Sequence, residues 1–570
     1  MNIYKETKAN ILKLISENYK KLNKNIESKI TAEQPKNESF GDISTNVVMI
    51  VSKDLNLERS ELAEFLIERL LANKFFRKVN FVKPGFLNIT FTNDFWLNFL
   101  KKIDTNKKKY GFNNIGKRKK INIEFVSANP TGPLHIGHLR GAIFGDVLSR
   151  LLSKNGYNVT KEYYINDLGV QVENLAYTIN HHIENSLHKT DIPLLDNMYK
   201  GYYLKKIADK YLEDKYFDYK NFSKLKEYAV NSNLDLIKKD LKHIGVNFNN
   251  YVSEKEIHEK DQVKKIIKLL KNNNDIYEGF LEKPKGKIDP DWSPSKQLLF
   301  RSTKYGDKSD RVILKNNGKY TYFASDIAYH YNKVLRGYDE IINIWGADHA
   351  GYIDRVKASL IALGFEKTIF TVKLCQIVNL IDKKKIIKMS KREGNFVLVS
   401  DVLNQIGRDA LRIFMLIRKN DAHIDFDLEQ CLKENSENPS FYIQYAYARI
   451  SSLKKIAKER KINLNKKTTD NKNSPLFPAE INIIRCLSLW PKTIESAVKF
   501  REPHRIVYYL IELSGKFHSY WSLGKSEKKY NILSKDNNEL SQIRLLMLDV
   551  IQSVIKNGLD ILSVKVKDRM

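Results

Sequence analysis

Two short strings constrain this chain more than anything else in it. His135-Ile136-Gly137-His138 follows a run of alternating, largely β-branched residues, Ile121-Asn122-Ile123-Glu124-Phe125-Val126, which reads as a buried strand. Far downstream, Lys388-Met389-Ser390-Lys391-Arg392 sits in a lysine-rich loop. Between the strand and the first string, Pro130, Gly132 and Pro133 forbid regular structure and force a turn. From Gly137 onward apolar residues recur at helical spacing, Ile143, Val147 and Leu151 with Phe144, Leu148 and Leu152 beside them, and Gly156 is placed to end the helix. Val159 to Ile165 is the next strand, with Val159, Tyr163 and Ile165 on one face. Strand, turn, helix and strand in this order make half of a doubly wound sheet.

That topology sets both histidines at a helix N-terminus, where free N–H groups and the macrodipole favour an anion. A nucleotide phosphate in mid-displacement gains negative charge, so imidazole donors there bind the transition state better than the ground state. Gly137, lacking a side chain, lets an adenine approach the backbone. Two histidines at an isolated helix start would be ordinary capping or core residues. The strand before them and the lysine loop after them point to a nucleotide site. Ammonium groups are point charges suited to the β- and γ-phosphates of ATP and to departing pyrophosphate, whereas Lys383-Lys384-Lys385 just upstream reads as a solvated charge run.

The pairing resembles the two signatures of class I aminoacyl-tRNA synthetases, with Arg392 where the general signature has Ser. The longer string Glu124-Phe125-Val126-Ser127-Ala128-Asn129-Pro130-Thr131-Gly132-Pro133-Leu134-His135 is similar to that of the arginyl-tRNA synthetase family. The resemblance implies an α/β fold: a class I Rossmann-type catalytic domain, an α/β N-terminal domain and an all-α C-terminal anticodon-binding domain. It implies a ligase that first activates L-arginine with ATP, as its magnesium complex, to arginyl-adenylate with release of pyrophosphate, and then transfers the arginyl group to the 3′-terminal adenosine of tRNA-Arg with release of AMP. The family needs tRNA bound before the first step proceeds.

The same resemblance distributes roles. His135 and His138 bind the α-phosphate and Lys391 the leaving pyrophosphate, with Lys388, Met389, Ser390, Gly137, Asp348 and Gln376 also on the ATP side. Arginine itself calls for a planar acidic receptor, because guanidinium donates in a fork that carboxylates match, and such carboxylates should project from strand ends at the switch point. Glu124 is one candidate. Asp326 is another, in Tyr320-Thr321-Tyr322-Phe323-Ala324-Ser325-Asp326, which is similar to the family's Tyr-x-x-x-Asp segment. There the resemblance sets Tyr322 and Asp326 in the arginine pocket, with Ser127, Asn129, His135 and His349 nearby. Ile341 to Trp345 reads as a third strand, ending in Gly346-Ala347-Asp348-His349.

With 570 residues, of which 42% are hydrophobic, the chain has room for about three domains of ~150 residues. The expected divisions are 1–105, 106–400 with a mostly helical insertion at about 175–320, and 401–570. No run approaches the ~18 apolar residues of a membrane span. Met1 to Lys20 carries scattered Lys and Glu rather than a signal peptide, and reads as an amphipathic helix with Ile11, Leu12 and Ile15 inward. A cytoplasmic protein, monomeric as the family is, is therefore expected. Three cysteines, Cys375, Cys431 and Cys486, are far apart and odd in number, so neither a disulfide framework nor a structural zinc is expected, and no other resident metal. The net charge of +30 favours a polyanionic partner, although lysine is abundant everywhere.

In the first region, Phe81 to Phe91 reads as a turn followed by an alternating strand. By the resemblance, Phe86 stacks on a base of the tRNA elbow and Asn88 hydrogen-bonds it. Lys107 to Lys120 reads as a basic, solvated linker. Asp409-Ala410-Leu411-Arg412 matches the motif that names the family's anticodon-binding domain. Beyond it Tyr442, Tyr445 and Arg449 share one helix face: Tyr442 reads as core, Tyr445 and Arg449 as anticodon contacts. Residues 463–478 read as a loop.

Overall fold

The computed structural model describes residues 1–19, 22, 24–213, 218, 220–280, 295–387, 397–462, 476–534 and 537–570. The second signature, Lys388-Met389-Ser390-Lys391-Arg392, and most of the loop expected at 463–478 lie outside the described residues.

The first helix, Ile3–Asn18, is capped by Asn2, whose side chain accepts the N–H of Tyr4 and Lys5. It buries Ile3, Tyr4, Ile11 and Ile15, with Leu12 partly covered. Strands β1 (Ala32–Glu33), β2 (Ile43–Thr45), β3 (Phe76–Val82) and β4 (Phe86–Phe91) form an antiparallel sheet in the order β1-β2-β4-β3. The expected turn and strand at 81–91 are the β3–β4 hairpin. Phe86 opens β4, half-buried, opposite Val82. Asn88 is buried in mid-strand.

The segment after residue 105 differs from the solvated linker expected. Lys107 pairs with Asp104 and Asp549. The Tyr110 hydroxyl donates to the Leu487 carbonyl at 2.8 Å, and the Trp490 indole donates back to the Tyr110 carbonyl at 3.0 Å. Gly111, at φ +91°, lies so close that a Cβ would sit 2.3 Å from the Trp490 ring nitrogen. One buried tyrosine thus anchors a lysine-rich segment onto the C-terminal helices.

The central sheet is parallel and five-stranded, from β5 (Lys120–Glu124), β6 (Asn158–Ile165), β7 (Asn250–Ser253), β11 (Glu340–Gly346) and β12 (Ile369–Cys375), in the order β12-β11-β5-β6-β7. The chain runs outward from β5 on one side and returns to its other side as β11. A doubly wound sheet opens a crevice at the carboxyl ends of such a pair. The helix Ile136–Lys154 connects β5 to β6 and buries Ile143, Phe144, Val147, Leu148, Leu151 and Leu152. It ends as expected, with Gly156 at φ +87° just beyond.

The insertion expected to be mostly helical over 175–320 is of mixed structure. Helices Val170–His188, Tyr202–Leu212 and Phe222–His243 do share a core of their own. The chain then returns to the central sheet as β7, and β8 (Ile276–Gly279), β9 (Gln297–Phe300) and β10 (Arg311–Leu314) form an antiparallel sheet. Each of these four strands spans four residues, too few for a period of two to show.

Beyond β12, strands β13 (Val378–Asp382), β14 (Lys385–Ile387) and β15 (Ile424–Asp427) form a small mixed sheet. The helix Val399–Phe414 breaks at Gly407, where φ is 75°. Helices Pro439–Glu459, Pro478–Phe500, His504–Ser526 and Asn538–Leu562 complete the chain. Among the described residues no helix is long and apolar enough to cross a membrane.

Candidate active site

At the switch point a cleft of about 840 Å³ opens along the carboxyl ends of β5, β6 and β11. Strand β5 ends at Glu124, two residues short of the expected Val126. Val126 and Ser127 then take φ of 70° and 39°, a conformation that costs a β-branched residue energy and that clusters at functional sites. This turn sends Ser127, Ala128 and Asn129 along the cleft wall. Ser127 donates its hydroxyl to Glu124 Oε1 at 3.1 Å and accepts the Tyr164 N–H at 3.0 Å. Asn129 is held on both sides of its amide, donating to Gln171 Oε1 and accepting from Asn166.

His135 caps the helix that follows. Its Nδ1 accepts the Gly137 N–H at 3.1 Å, His138 Nδ1 accepts the His135 N–H at 3.3 Å, and the ring centroids stand 3.9 Å apart. With both Nδ1 atoms accepting, each neutral ring carries its proton on Nε2. A Cβ at Gly137 would meet the His135 ring at 2.9 Å, so the missing side chain here makes room for the histidine rather than for adenine alone. Upstream, the Leu134 N–H donates to Asp240 Oδ2, and the Tyr203 hydroxyl donates to the Thr131 carbonyl. Tyr203 also closes over Gly132.

Residues on either side of the lysine loop adjoin this turn. Directly after it, Leu398 bridges His135; the Ile136 N–H donates to the Val397 carbonyl and the Val399 N–H to the Leu134 carbonyl. Before it, Gln376 lines the cleft. Its carbonyl accepts from Arg140, whose guanidinium also donates to the Lys419 and Ala422 carbonyls at 2.7 and 2.6 Å. Arg140 is 2% exposed, and no carboxylate lies within ion-pair distance of it among the described residues. Sequence reasoning missed Arg140, because a charged residue in an amphipathic helix reads as surface.

The opposite wall is acidic. The helix Tyr322–Leu335 presents Tyr322, 57% exposed, at its first turn and Asp326 one turn further in. Burial, then the Glu254 and Glu124 carboxylates, push the Asp326 carboxyl up to about 8 against the opposing pull of Arg355 and Lys333. Glu254, buried just after β7, is pushed up to about 7 by burial, a Ser325 hydrogen bond opposing it and Asp167 adding to it. Glu254 was also missed, since the sequence reading put residue 254 inside a helical insertion. Glu124 is bound from beneath by Lys333, Nζ to Oε2 at 2.5 Å. Asp348 and His349 stand exposed at the rim in the short helix Ala347–Tyr352, with Nε2 3.4 Å from the carboxylate.

The residues assigned to tRNA lie elsewhere. The Arg449 guanidinium is sandwiched 4.2 Å over the Tyr445 ring and 3.7 Å over Trp521, and donates to the Tyr445 hydroxyl and His518. Tyr442, expected in the core, is half-buried against His518.

Family models match three successive stretches of the chain: the arginyl tRNA synthetase N-terminal domain over 9–91, the class I (R) tRNA synthetase catalytic domain over 100–427, and the DALR anticodon binding domain over 443–570. Arginine–tRNA ligases of Rickettsia prowazekii and Rickettsia africae are 41% and 40% identical, each alignment covering 99% or more of both chains. The arginyl-tRNA synthetase structures of Thermus thermophilus and Plasmodium falciparum, both 18% identical, superpose with TM-scores of 0.73 and 0.69 over the whole of this chain and at least 99% of theirs, a likeness of fold. Carrying the same three domains in the same order, the chain belongs to the arginyl-tRNA synthetase family of class I aminoacyl-tRNA ligases.

Proposed function

We propose that this chain activates L-arginine with ATP and transfers the arginyl group to the 3′-terminal adenosine of tRNA-Arg. The observation that carries the reading is the pairing, in one cleft, of the Asp326–Glu254 acidic wall with the His135–His138 turn. Two carboxyls held partly protonated are a receptor waiting for a cation, and guanidinium offers the matching fork. Tyr322, Asp326 and Glu254 take the guanidinium. Glu124, Ser127, Asn129 and His349 hold the α-amino and carboxylate end, with His135 beside them. The carboxylate attacks the α-phosphate of magnesium-bound ATP in line. His135 and His138 donate to the charge that develops there, pyrophosphate leaves, and Lys388, Met389, Ser390 and Lys391 are the residues assigned to its phosphates. Gly137, Asp348 and Gln376 border the nucleoside. Catalysis of this kind is positioning and charge stabilisation.

The reading extends to the whole chain: residues 1–105 and the Phe86–Asn88 strand toward the tRNA elbow, 106–400 for the chemistry, and 401–570 with Tyr445 and Arg449 toward the anticodon. It carries a cytoplasmic monomer. Pyrophosphate exchange with each amino acid, with and without total tRNA, tests it. Exchange with arginine alone, and only in the presence of tRNA, is the expected result. Exchange with another amino acid would overturn the acidic receptor.

A pH dependence follows from the same carboxyls. Near neutrality the empty site holds a shared proton, because the acids are raised to about 8 and about 7. Guanidinium binds their ionised forms, so it must displace that proton. The KM for arginine therefore falls as pH rises from 6 to 8, by up to about tenfold per unit for one proton, while the KM for ATP stays flat. Calorimetry in buffers of differing ionisation enthalpy reads the released proton directly. Identical observed heats in all the buffers would mean that no proton is released, and would remove this account of the wall.

A further inference from the structure

Four carboxylates converge beneath and around the cleft: Glu124, Glu162, Glu254 and Asp326. Two of them have their charge cancelled from one helix. Glu162 is gripped by the two terminal guanidinium nitrogens of Arg336 and accepts the Tyr329 hydroxyl at 2.8 Å. Glu124 accepts from Lys333 Nζ. The other two, Asp326 and Glu254, have no ion-pair partner within 4.0 Å among the described residues.

Lys333 is 0% exposed and is not among the residues that line the cleft. Its surroundings fix it in place. The neutral His330 ring donates from Nδ1 to the Asp326 carbonyl at 2.8 Å, which leaves Nε2 to accept the Asn343 amide N–H, also at 2.8 Å. That orients Asn343 so that its oxygen accepts from Lys333 at 3.0 Å. The ammonium also sits 4.4 Å over the Tyr329 ring. A chain of directed bonds thus runs from His330 through Asn343 and Lys333 to Glu124, and from Ser127 to the other Glu124 oxygen.

We propose that Lys333 is a positioning residue that, by cancelling the charge of Glu124, confines the uncompensated negative charge of the cleft interior to Asp326 and Glu254, Asp348 standing exposed at the rim. The inference rests on the arginine reading above. An α-amino acid brings one anion with it, its carboxylate, which must come to the signature turn to meet the phosphate. Glu124 stands on the strand that leads into that turn. Left unpaired it would repel the carboxylate and draw the guanidinium to the wrong end. Paired, it orders the cleft into an acidic end and a neutral one.

The discriminating ligand is agmatine, which keeps the guanidinium and the amine of arginine and lacks only the carboxylate. The KM for L-arginine in tRNA-dependent pyrophosphate exchange is measured beside the competitive Ki of agmatine and the KM for ATP. Lys333→Met is expected to raise the arginine KM tenfold or more, to change the agmatine Ki less than threefold, and to leave the ATP KM unaltered. Glu124→Gln, which leaves the ammonium uncompensated instead, is expected to move the arginine-to-agmatine preference the opposite way. The double variant, lacking both charges, returns that preference to within threefold of the unaltered protein. Loss of arginine and agmatine binding by the same factor would mean that Lys333 only supports the fold, and would overturn the proposal. So would a Glu124→Gln protein with unchanged preference, a result obtainable even if Lys333→Met alone does not fold. Absence of arginine-dependent exchange by the unaltered protein would instead overturn the arginine reading, before any variant is made.

Discussion

Asp326→Asn is expected to lower kcat/KM for arginine by on the order of 10²–10³-fold while leaving the KM for ATP within about twofold, because removing one partner of a desolvated charge pair costs about 2–5 kcal/mol. Asparagine keeps the size and one acceptor of the aspartate, so the helix Tyr322–Leu335 has no packing reason to shift. What is lost is the anion that burial, Glu254 and Glu124 hold at the edge of protonation. Glu254 remains, and with its neighbour neutral it ionises more readily, so some guanidinium affinity survives. The pH dependence of the arginine KM should flatten in the same variant, since one of the two raised carboxyls is gone and the remaining Glu254 ionises more readily. Tyr322→Phe, at an exposed position, removes one hydroxyl and should cost about tenfold or less. Exchange kinetics at varied arginine and fixed, saturating ATP and tRNA measure all three effects. An Asp326→Asn protein with unaltered arginine kcat/KM would dismiss the acidic wall as the guanidinium receptor.

Much of the site could be read before any coordinates. Glu124, Ser127, Asn129, His135, Gly137, His138, Tyr322, Asp326, Asp348, His349 and Gln376 all line one cleft, drawn from segments far apart in sequence. For Glu124, His135, Gly137 and His138 the reason is physical. A β-branched run, a Pro- and Gly-broken turn and an apolar helix point to a strand–turn–helix whose strand end faces the crevice. Tyr322, Asp326, Asp348, His349 and Gln376 were legible only through the resemblance to the family, and Asp326 projects from a helix rather than from the expected strand end. Arg140, Lys333 and Glu254 were not legible for equally physical reasons. Arg140 and Lys333 are cations on helices, where periodicity assigns charge to the solvent side. Their burial depends on partners that only the tertiary fold supplies: three carbonyls near residues 376 and 419–422 for one, Glu124 and Asn343 for the other. Glu254 follows a strand of four residues in the middle of a long insertion, too short to announce that the chain had rejoined the central sheet. The docked segment around Tyr110 was hidden by its lysines in the same way.

Arg412→Leu is expected to destabilise the protein by about 3–5 kcal/mol, the cost typical of removing one member of a buried, hydrogen-bonded ion pair. Arg412 and Asp146 are both wholly buried, 2.6 Å apart. The guanidinium also donates to the Leu562 carbonyl at 2.6 Å and to the Ile244 carbonyl at 2.8 Å. One side chain thereby ties the signature helix Ile136–Lys154 to the end of the helix Phe222–His243 and to the last turn of Asn538–Leu562. Asp146 keeps Arg150 and Lys161 when Arg412 is lost, so its charge is not stranded. The two carbonyls have no such reserve, and each orphaned acceptor costs about 1–3 kcal/mol. Lysine at the position retains the charge and can serve only one of the three sites, so Arg412→Lys should fall between. Acid provides a second check. Burial raises the Asp146 carboxyl, but Arg412, Arg150 and Lys161 outweigh it and hold the group below its ordinary 3.8. A carboxyl depressed in the folded state stabilises above its unfolded value and loses that share as pH falls through the folded one. Part of that share is already gone in Arg412→Leu, so its deficit against the unaltered protein should be widest near neutrality and narrow below about pH 4. Hydrogen exchange at the amides around Ile244 and Leu562 would locate the loosening where the carbonyls lose their donor. Unchanged protection there at neutral pH, with an unchanged melting temperature, would show that the three helices hold one another without this arginine.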